Sequence, residues 1–541
     1  MNLETLLADR LAPAFEAVAG VPVDPVVRVS QHADLQSGAA LALARRLGRP
    51  PGDIAAEVAA KAALDGLASI AVSGPGFLNL TIDDDVIVAA TREAPHVPVV
   101  RQPKRVVIDY SGPNAAKEMH VGHLRSTIIG DALARIFERA GHDVIRVNHL
   151  GDWGTQFGML IEHLAGETTG DHSLGDLTDF YRRARVRFDN DEEFRTRSRL
   201  RVVALQGGDP RSRELWRRLV GQSETAFMDV YARLGVTLAP GDFVGESFYQ
   251  DRLASVVDEL TEKGLLTESN GALCAFPPGF TGRDGDPLPL IVRKSDGGFG
   301  YAATDLAALR HRVRDLGAGL LLYVVGTPQQ THFRMVYAVA RAAGWLPDGV
   351  VAEHVGFGSV LGADGKMLKT RAGGTIKLAG LLDEAVARAS SPAVGIGAIK
   401  YADLAGDRRS DYVFDWDRML ATTGDTGPYL QYAYTRIRSI FTRTDERPGA
   451  VVLTDPSERR LALEILGFEP AMTAAMDHRE PHRLAGYLHG LAVAFSAFYE
   501  RCPVLRADAP VRASRLALAD RTARTLALGL DLLGIEVPDV M

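Results

Sequence analysis

Cysteine is nearly missing: Cys274 and Cys502 are the only two in 541 residues. A disulfide framework is thereby excluded, and so is a zinc site of paired CxxC type. The expectation is two reduced thiols. No apolar run reaches the roughly eighteen residues a membrane helix needs. The first residues, MNLETLLADRLAPAFEAV, lack the basic cluster of a secretory leader and read as an amphipathic helix. These absences predict a cytoplasmic chain with no membrane contact. The phosphate-binding fingerprints GxGxxG and GxxxxGK[ST] are absent where a first nucleotide-binding turn would carry them, and there is no HExxH metal pair. The net charge of −7 argues against a protein that coats nucleic acid, but not against local basic faces.

What is present is a soluble composition, 46% apolar and 24% charged, in a chain long enough for several cores. The stretch from Val106 to Trp153 organises it. Val106–Tyr110 reads as a buried strand, and Ser111–Met119 as a loop containing Gly112, Pro113 and Asn114. His120-Val-Gly-His123 then opens an amphipathic helix that stops at Gly141, and a second strand starts at Asp143. This is a β-loop-helix-β unit of a parallel nucleotide-binding sheet. His120 and His123, three apart, share one face of the first helical turn. There, free amides and the helix dipole favour an anion such as a triphosphate. Gly122 leaves space for a flat ring such as adenine. Two other readings stay open on spacing alone: a metal pair, or two solvated histidines.

SGPNAAKEMHVGHLRSTIIGDA, followed by NHLGDWGTQFG, resembles the first signature of class I aminoacyl-tRNA synthetases in its arginyl form. The likeness spans some forty residues without a gap. It implies an ATP-dependent ligase that joins L-arginine to tRNA(Arg) through an adenylate. ATP would come with Mg2+, no protein-bound metal is expected, and the chain would be a monomer. Rival functions are a small-molecule adenylyltransferase of the HxGH type and a non-catalytic tRNA-binding relative.

The implied fold is α/β: a Rossmann-like parallel-sheet catalytic domain over residues 103–383, carrying an insertion at about 165–289. A small α+β domain (1–95) would precede it and contact tRNA. An all-α helical bundle (384–541) would follow and bind the anticodon. In the first domain, two helices flank Pro50-Pro51 and a strand-turn-strand covers SIAVSGPGFLNLTID. In the insertion, eight arginines between Arg182 and Arg201 are interspersed with acids, which reads as a solvated face of mixed ion pairs or as a surface for the tRNA acceptor end. The insertion is short for an editing domain, and a guanidinium-specific site needs none, because analogues leave buried acceptors unpaired.

IVRKSDGGFGYAATD is expected to resume the parallel sheet and to start a helix capped by Thr304. On the residues alone, Asp305 only complements the helix dipole. The resemblance makes Tyr301 and Asp305 the recognisers of the arginine side chain, with Gly112, Pro113, Asn114, His123 and Gln329 completing the amino-acid site. His332 is left as structural. Lys366-Met-Leu-Lys369-Thr resembles the second signature, with Leu and Thr replacing serines. The resemblance assigns ATP to Lys117, His120, Gly122, His123, Lys366 and Lys369, and catalysis to the two histidines and Lys366 and Lys369. DTGPYLQYAYTRIRSIFTR begins a helix at Pro428, with most of its tyrosines expected in the core and Arg436 and Arg438 as tRNA contacts. The last two helices read as amphipathic.

Overall fold

The structure, a computed structural model, describes residues 2–166, 177–282, 284–368 and 376–538. The chain divides into two compact units. One is Val100–Leu420 with Leu533–Glu536; the other is Met1–Val99 with Ala421–Leu532 and Val537–Met541.

The larger unit is built on four parallel strands. They are β1 (Arg105–Asp109), β2 (Asp143–Val147), β3 (Leu320–Tyr323) and β4 (Val351–His354), in the order β4-β3-β1-β2. β1 and β3 are buried on both faces, which is why Val106–Ile108 and Leu320–Tyr323 are apolar without alternation. Helix α1 (Val121–Arg139) connects β1 to β2. Helices α2 (Tyr301–Arg314) and α3 (Gln330–Ala342) flank β3 in sequence. The order reverses between β1 and β3, and the carboxyl ends of these two strands open at that point.

Three expectations fail here. α1 is not amphipathic: every residue from Leu124 to Ala134 is buried. Its polar side chains are satisfied inside, Ser126 by the Val324 carbonyl (2.6 Å) and Asp131 by the Thr237 amide (2.7 Å). Arg125 donates to Asp403 (3.2 Å) and to the Ser410 carbonyl (2.9 Å). Leu290–Arg293 does not resume the parallel sheet; it pairs antiparallel with Ala272–Ala275 in a separate three-stranded sheet. Nor does Thr304 cap α2. The cap lies four residues earlier, because Gly300 is the last residue with extended backbone (φ −85°, ψ 166°), and Thr304 is buried within the helix.

The insertion contributes helices Leu177–Asn190, Glu192–Gln206 and Pro210–Leu234. Phe180, Phe194, Leu215 and Leu219 form its core. The arginines largely pair with acids: Arg185 with Asp189 and Arg195 with Glu192 within a turn, and Arg197 and Arg201 with Glu162 on an earlier helix. That matches a solvated face of mixed ion pairs.

In the other unit, residues 2–99 form a four-stranded antiparallel sheet with helices. Beyond the expected strand-turn-strand (Ala68–Ser73, Phe77–Ile82), it includes Val27–Val29 and Leu35–Ser37, which are too short to read by alternation. Residues 421–532 are helical. Gly427–Phe441 has Pro428 in its first turn, as expected, but its core is Leu430, Ala433, Ile437 and Ile440. Tyr432 is exposed and Tyr429 and Tyr434 are only half-buried, against the expectation that the tyrosines fill the core. The last helix, Ala509–Leu532, is buried around most of its circumference rather than on one stripe. Both cysteines are free and buried.

Arg459 ties this unit together. Its guanidinium donates to both carboxylate oxygens of Asp34 (2.7 Å each), to Asp84 (2.7 Å) and to the Ile82 carbonyl (2.7 Å). The planar fork matches the carboxylate, and Asp34 is largely shielded from water. Among the described residues, Arg459→Ala leaves that carboxylate with the Ile82 amide (2.8 Å) as its remaining donor. The expected cost is about 2–3 kcal/mol, read as a lowered denaturant midpoint with an unchanged slope.

Candidate active site

A cavity of about 650 Å³ lies at the carboxyl ends of β1 and β3. It begins where β1 turns away. Ser111 (φ 73°) and Gly112 (φ 54°) both take the left-handed region. For Ser111 this is strained, and the strain is held by three bonds. Its amide donates to Ser126 Oγ (2.9 Å), while its hydroxyl meets Tyr231 (2.7 Å) and Thr127 (2.9 Å). The Gly112 amide donates to Asn148 Oδ1 (2.9 Å). Asn114 crosses directly over Gly151, where a Cβ would lie 2.2 Å from Asn114 Oδ1.

His120 is the N-cap of α1, and its Nδ1 accepts the Gly122 amide (3.0 Å). His123 Nδ1 accepts the His120 amide (3.1 Å). With both Nδ1 atoms used as acceptors, both neutral rings carry their proton on Nε2. The ring centroids are 3.9 Å apart. Burial lowers the His120 pKa, helped by Lys117; burial and then the neighbouring His120 push His123 down to about 3. The pair therefore offers two neutral N–H donors at a helix start whose own first amides are already bonded, Val121 to the Ile376 carbonyl (3.0 Å), Gly122 to His120 Nδ1 and His123 to the His120 carbonyl (2.8 Å). A Cβ on Gly122 would lie 2.8 Å from the His120 ring, so the space at this glycine is used first by the imidazole.

The opposite wall is acidic. Asp305 on α2 lines the cavity with Glu246, Asp109, Thr304 and His149. Glu246 is pushed up to about 8 by burial, then by the charges of Asp152 and Asp305. Asp109 is paired with the buried Arg312 (2.8 Å), so its charge is balanced. Burial holds His149 below its ordinary range. Asp152 lies behind the wall, accepting from the Ser247 amide (2.9 Å) and hydroxyl (2.6 Å); burial raises its pKa against those bonds. Tyr301 stands at the rim with 78% of its surface exposed. Gln329, in the short turn before α3, also lines the cavity.

Of the residues singled out from the sequence, the cavity brings together Gly112, Asn114, His120, Gly122, His123, Tyr301, Asp305 and Gln329. Pro113 supports the wall from outside, its carbonyl accepting the Gly151 amide (3.2 Å). Lys117 is turned toward the insertion, its ammonium 4.3 Å over the Tyr181 ring. Lys366 sits in a tight hairpin and does not line the cavity: Gly362 donates to its carbonyl (2.8 Å), and Leu368 to Val360 (3.0 Å). Lys369 lies outside the described residues. The segment after it returns beside the histidines, where Val121 donates to Ile376 (3.0 Å) and Leu378 to Met119 (2.9 Å). Arg436 and Arg438 are on Gly427–Phe441 in the other unit, Arg436 over the Tyr499 ring at 4.4 Å.

Sequence reasoning missed Glu246, Asp109 and His149, and set His332 aside. Asp109 had a signal, an acid closing an apolar strand. Glu246 had none, since nothing in GDFVGESFY forms a motif.

Among the described residues, no group of three or more His, Cys, Asp or Glu side chains is placed to hold a metal ion. The chain matches three family models. Residues 87–392 match the model for tRNA synthetases class I (R), catalytic domain; residues 430–541 match the DALR anticodon binding domain, and residues 1–82 the arginyl tRNA synthetase N terminal domain. It is 51% identical to an arginine–tRNA ligase of Thermobifida fusca, over 99% of each chain. It is 52% identical to one of Frankia casuarinae, over 96% of this chain and 95% of that one. The structure is similar to that of the arginyl-tRNA synthetase of Plasmodium falciparum, with a TM-score of 0.87, 29% identity and 99% of both chains covered. The paired imidazoles at a helix start, the acid-walled cavity beside them and a likeness that runs from end to end place the chain in the arginyl-tRNA synthetase family.

Proposed function

We propose that the chain ligates L-arginine to tRNA(Arg) using ATP, through an arginyl-adenylate. A carboxylate oxygen of arginine attacks the α-phosphorus of ATP, the bond to pyrophosphate breaks, and pyrophosphate leaves. A terminal ribose hydroxyl of tRNA then attacks the acyl carbon and AMP leaves. No protein nucleophile is needed; positioning and charge stabilisation carry both steps. The observation that supports this most directly is that one cavity joins neutral N–H donors at a helix start to a wall with Asp305 and Glu246.

In this reading His120 and His123 donate from Nε2 to the triphosphate. Gly122 leaves room for the His120 ring and for adenine beside it; Lys117, now over the Tyr181 ring, and Lys366, now outside the cavity, would have to turn to the phosphates to act with Lys369 there. Gly112, Pro113, Asn114 and Gln329 orient the amino and carboxylate groups of arginine. Tyr301 and Asp305 take the guanidinium, which can form two parallel bonds to a carboxylate. Mg2+ enters on the ATP phosphates, whose charge it neutralises.

The catalytic domain is assigned to residues 103–383 with the insertion at about 165–289. Residues 1–95 are assigned to tRNA contact, and residues 384–541 to the anticodon, with Arg436 and Arg438 as RNA contacts. The chain is taken as a cytoplasmic monomer; no helix among the described residues is long and apolar enough to cross a membrane. A short HxGH adenylyltransferase would leave the DALR match of residues 430–541 without a use. The test is arginine-dependent ATP–pyrophosphate exchange, measured with and without tRNA(Arg). Exchange that requires arginine and rejects lysine is expected, and no exchange even with tRNA present refutes the reading.

A further inference from the structure

Asp305 does not face the cavity alone. Its Oδ2 lies 2.6 Å from Nε2 of His332. Asp305 is on α2 and His332 on α3, so the contact fixes a side chain of one helix against the next. The imidazole is itself braced. It packs edge-on against Phe333, with centroids 5.5 Å apart, and Phe333 stacks in turn on His354 at 5.5 Å and 14°. Asp305, His332 and Phe333 all line the cavity.

We propose that His332 is a positioning residue for amino-acid recognition: by donating from Nε2 to Oδ2, it aims the Asp305 carboxylate at the guanidinium. The proposal rests on the reading of Asp305 as guanidinium acceptor. A carboxylate has about four acceptor sites, and His332 uses one. Oδ1 and the second lone pair of Oδ2 remain, enough for the two parallel bonds of a planar fork. Without the imidazole, Asp305 has no other side-chain hydrogen-bond partner among the described residues to hold its rotamer, and arginine must order it on binding. The loss falls on arginine and spares ATP, because the phosphate donors His120 and His123 belong to α1 and bond only to backbone there.

Gln at position 332 also carries a donor on a side chain of similar reach. Asn carries the same amide one methylene shorter. The experiment measures arginine and ATP KM values by ATP–pyrophosphate exchange on the full chain with tRNA(Arg) present. The variants are His332→Ala, His332→Asn, His332→Gln and, in parallel, Asp305→Asn. His332→Ala and His332→Asn are expected to raise the arginine KM about tenfold and to leave the ATP KM within about twofold. His332→Gln is expected to bring the arginine KM back to within about threefold of the parent. A parental arginine KM in His332→Ala, or no recovery with Gln over Asn, overturns the proposal. An unchanged arginine KM in Asp305→Asn overturns the pocket reading itself. A large rise in Asp305→Asn with none in His332→Ala overturns only the role of His332. Equal thermal midpoints across the series establish that the differences arise in the pocket.

Discussion

Asp305→Asn is expected to raise the arginine KM by about 10²–10³-fold, a loss of about 3–4 kcal/mol, with the ATP KM changed by no more than a few-fold. The substitution keeps the shape and removes the charge. It also replaces one acceptor by an NH2 group, which faces the N–H donors of a guanidinium and repels them. Charge-assisted bonds to a carboxylate are worth about twice neutral ones; of the two, one is lost and the other becomes neutral. Steady-state exchange at varied arginine checks this; an unchanged arginine KM would refute the assignment. Glu246 modulates the outcome. Burial, then the charges of Asp152 and Asp305, hold its pKa at about 8, so at neutral pH it is mostly protonated in the empty pocket. Removing the charge at position 305 takes away the smallest of these causes, so the pKa of Glu246 falls somewhat and a larger share of it carries charge, while burial and Asp152 still hold it up. Asp305 and Glu246 are thus coupled, and their substitutions should not be additive. The same coupling gives the parent protein a pH signature. A bound guanidinium favours the ionised form of Glu246, so arginine binding below pH 8 releases a proton, and arginine affinity rises with pH up to about 8.

The part of this site that could be read from the sequence is the part made by neighbours in the chain. The apolar run of β1, the Gly-Pro-Asn loop and His120 and His123 at i and i+3 define a strand, a turn and a helix start locally, and the structure has all three. What could not be read depends on distant partners. Periodicity makes α1 amphipathic because Arg125, Ser126 and Asp131 count as solvent-facing. They are buried because Asp403, the Val324 carbonyl and Thr237 come to meet them. Leu290–Arg293 is a short apolar run that suits either sheet, and its antiparallel partner Ala272–Ala275 decides. Thr304 is a good cap by residue type, yet the cap falls where extended backbone ends, at Gly300. Glu246 follows Gly245, which packs so closely on the Asp152 carboxylate that a Cβ would come within 2.2 Å of Oδ2, a contact between residues far apart in the chain. His332 looked structural because its partner, Asp305, is on another helix.

His123→Ala is expected to lower the exchange kcat by about 10²–10³-fold, about 3–4 kcal/mol, the size typical of losing one preorganised donor to a developing oxyanion. The form in which the ring acts gives a sharper test than its removal. In the ligand-free site His123 is held at about 3 by burial and by His120, so it is neutral throughout the physiological range. Its Nδ1 is already an acceptor for the His120 amide, which leaves Nε2–H as the donor. A neutral donor of similar reach should therefore replace it better than a fixed charge. His123→Gln is expected to retain about tenfold more exchange than His123→Lys, since the ammonium brings a desolvation cost into the half-buried site without the directed N–H. The pH profile follows with a definite sign. A lowered pKa means that no proton leaves His123 as pH rises from 5 to 8, so kcat/KM for ATP should show no falling limb near 6.5 from this residue. A limb at that pH that vanished in His123→Gln would mean that the free enzyme works through an imidazolium, and the neutral-donor account of the paired histidines would be wrong.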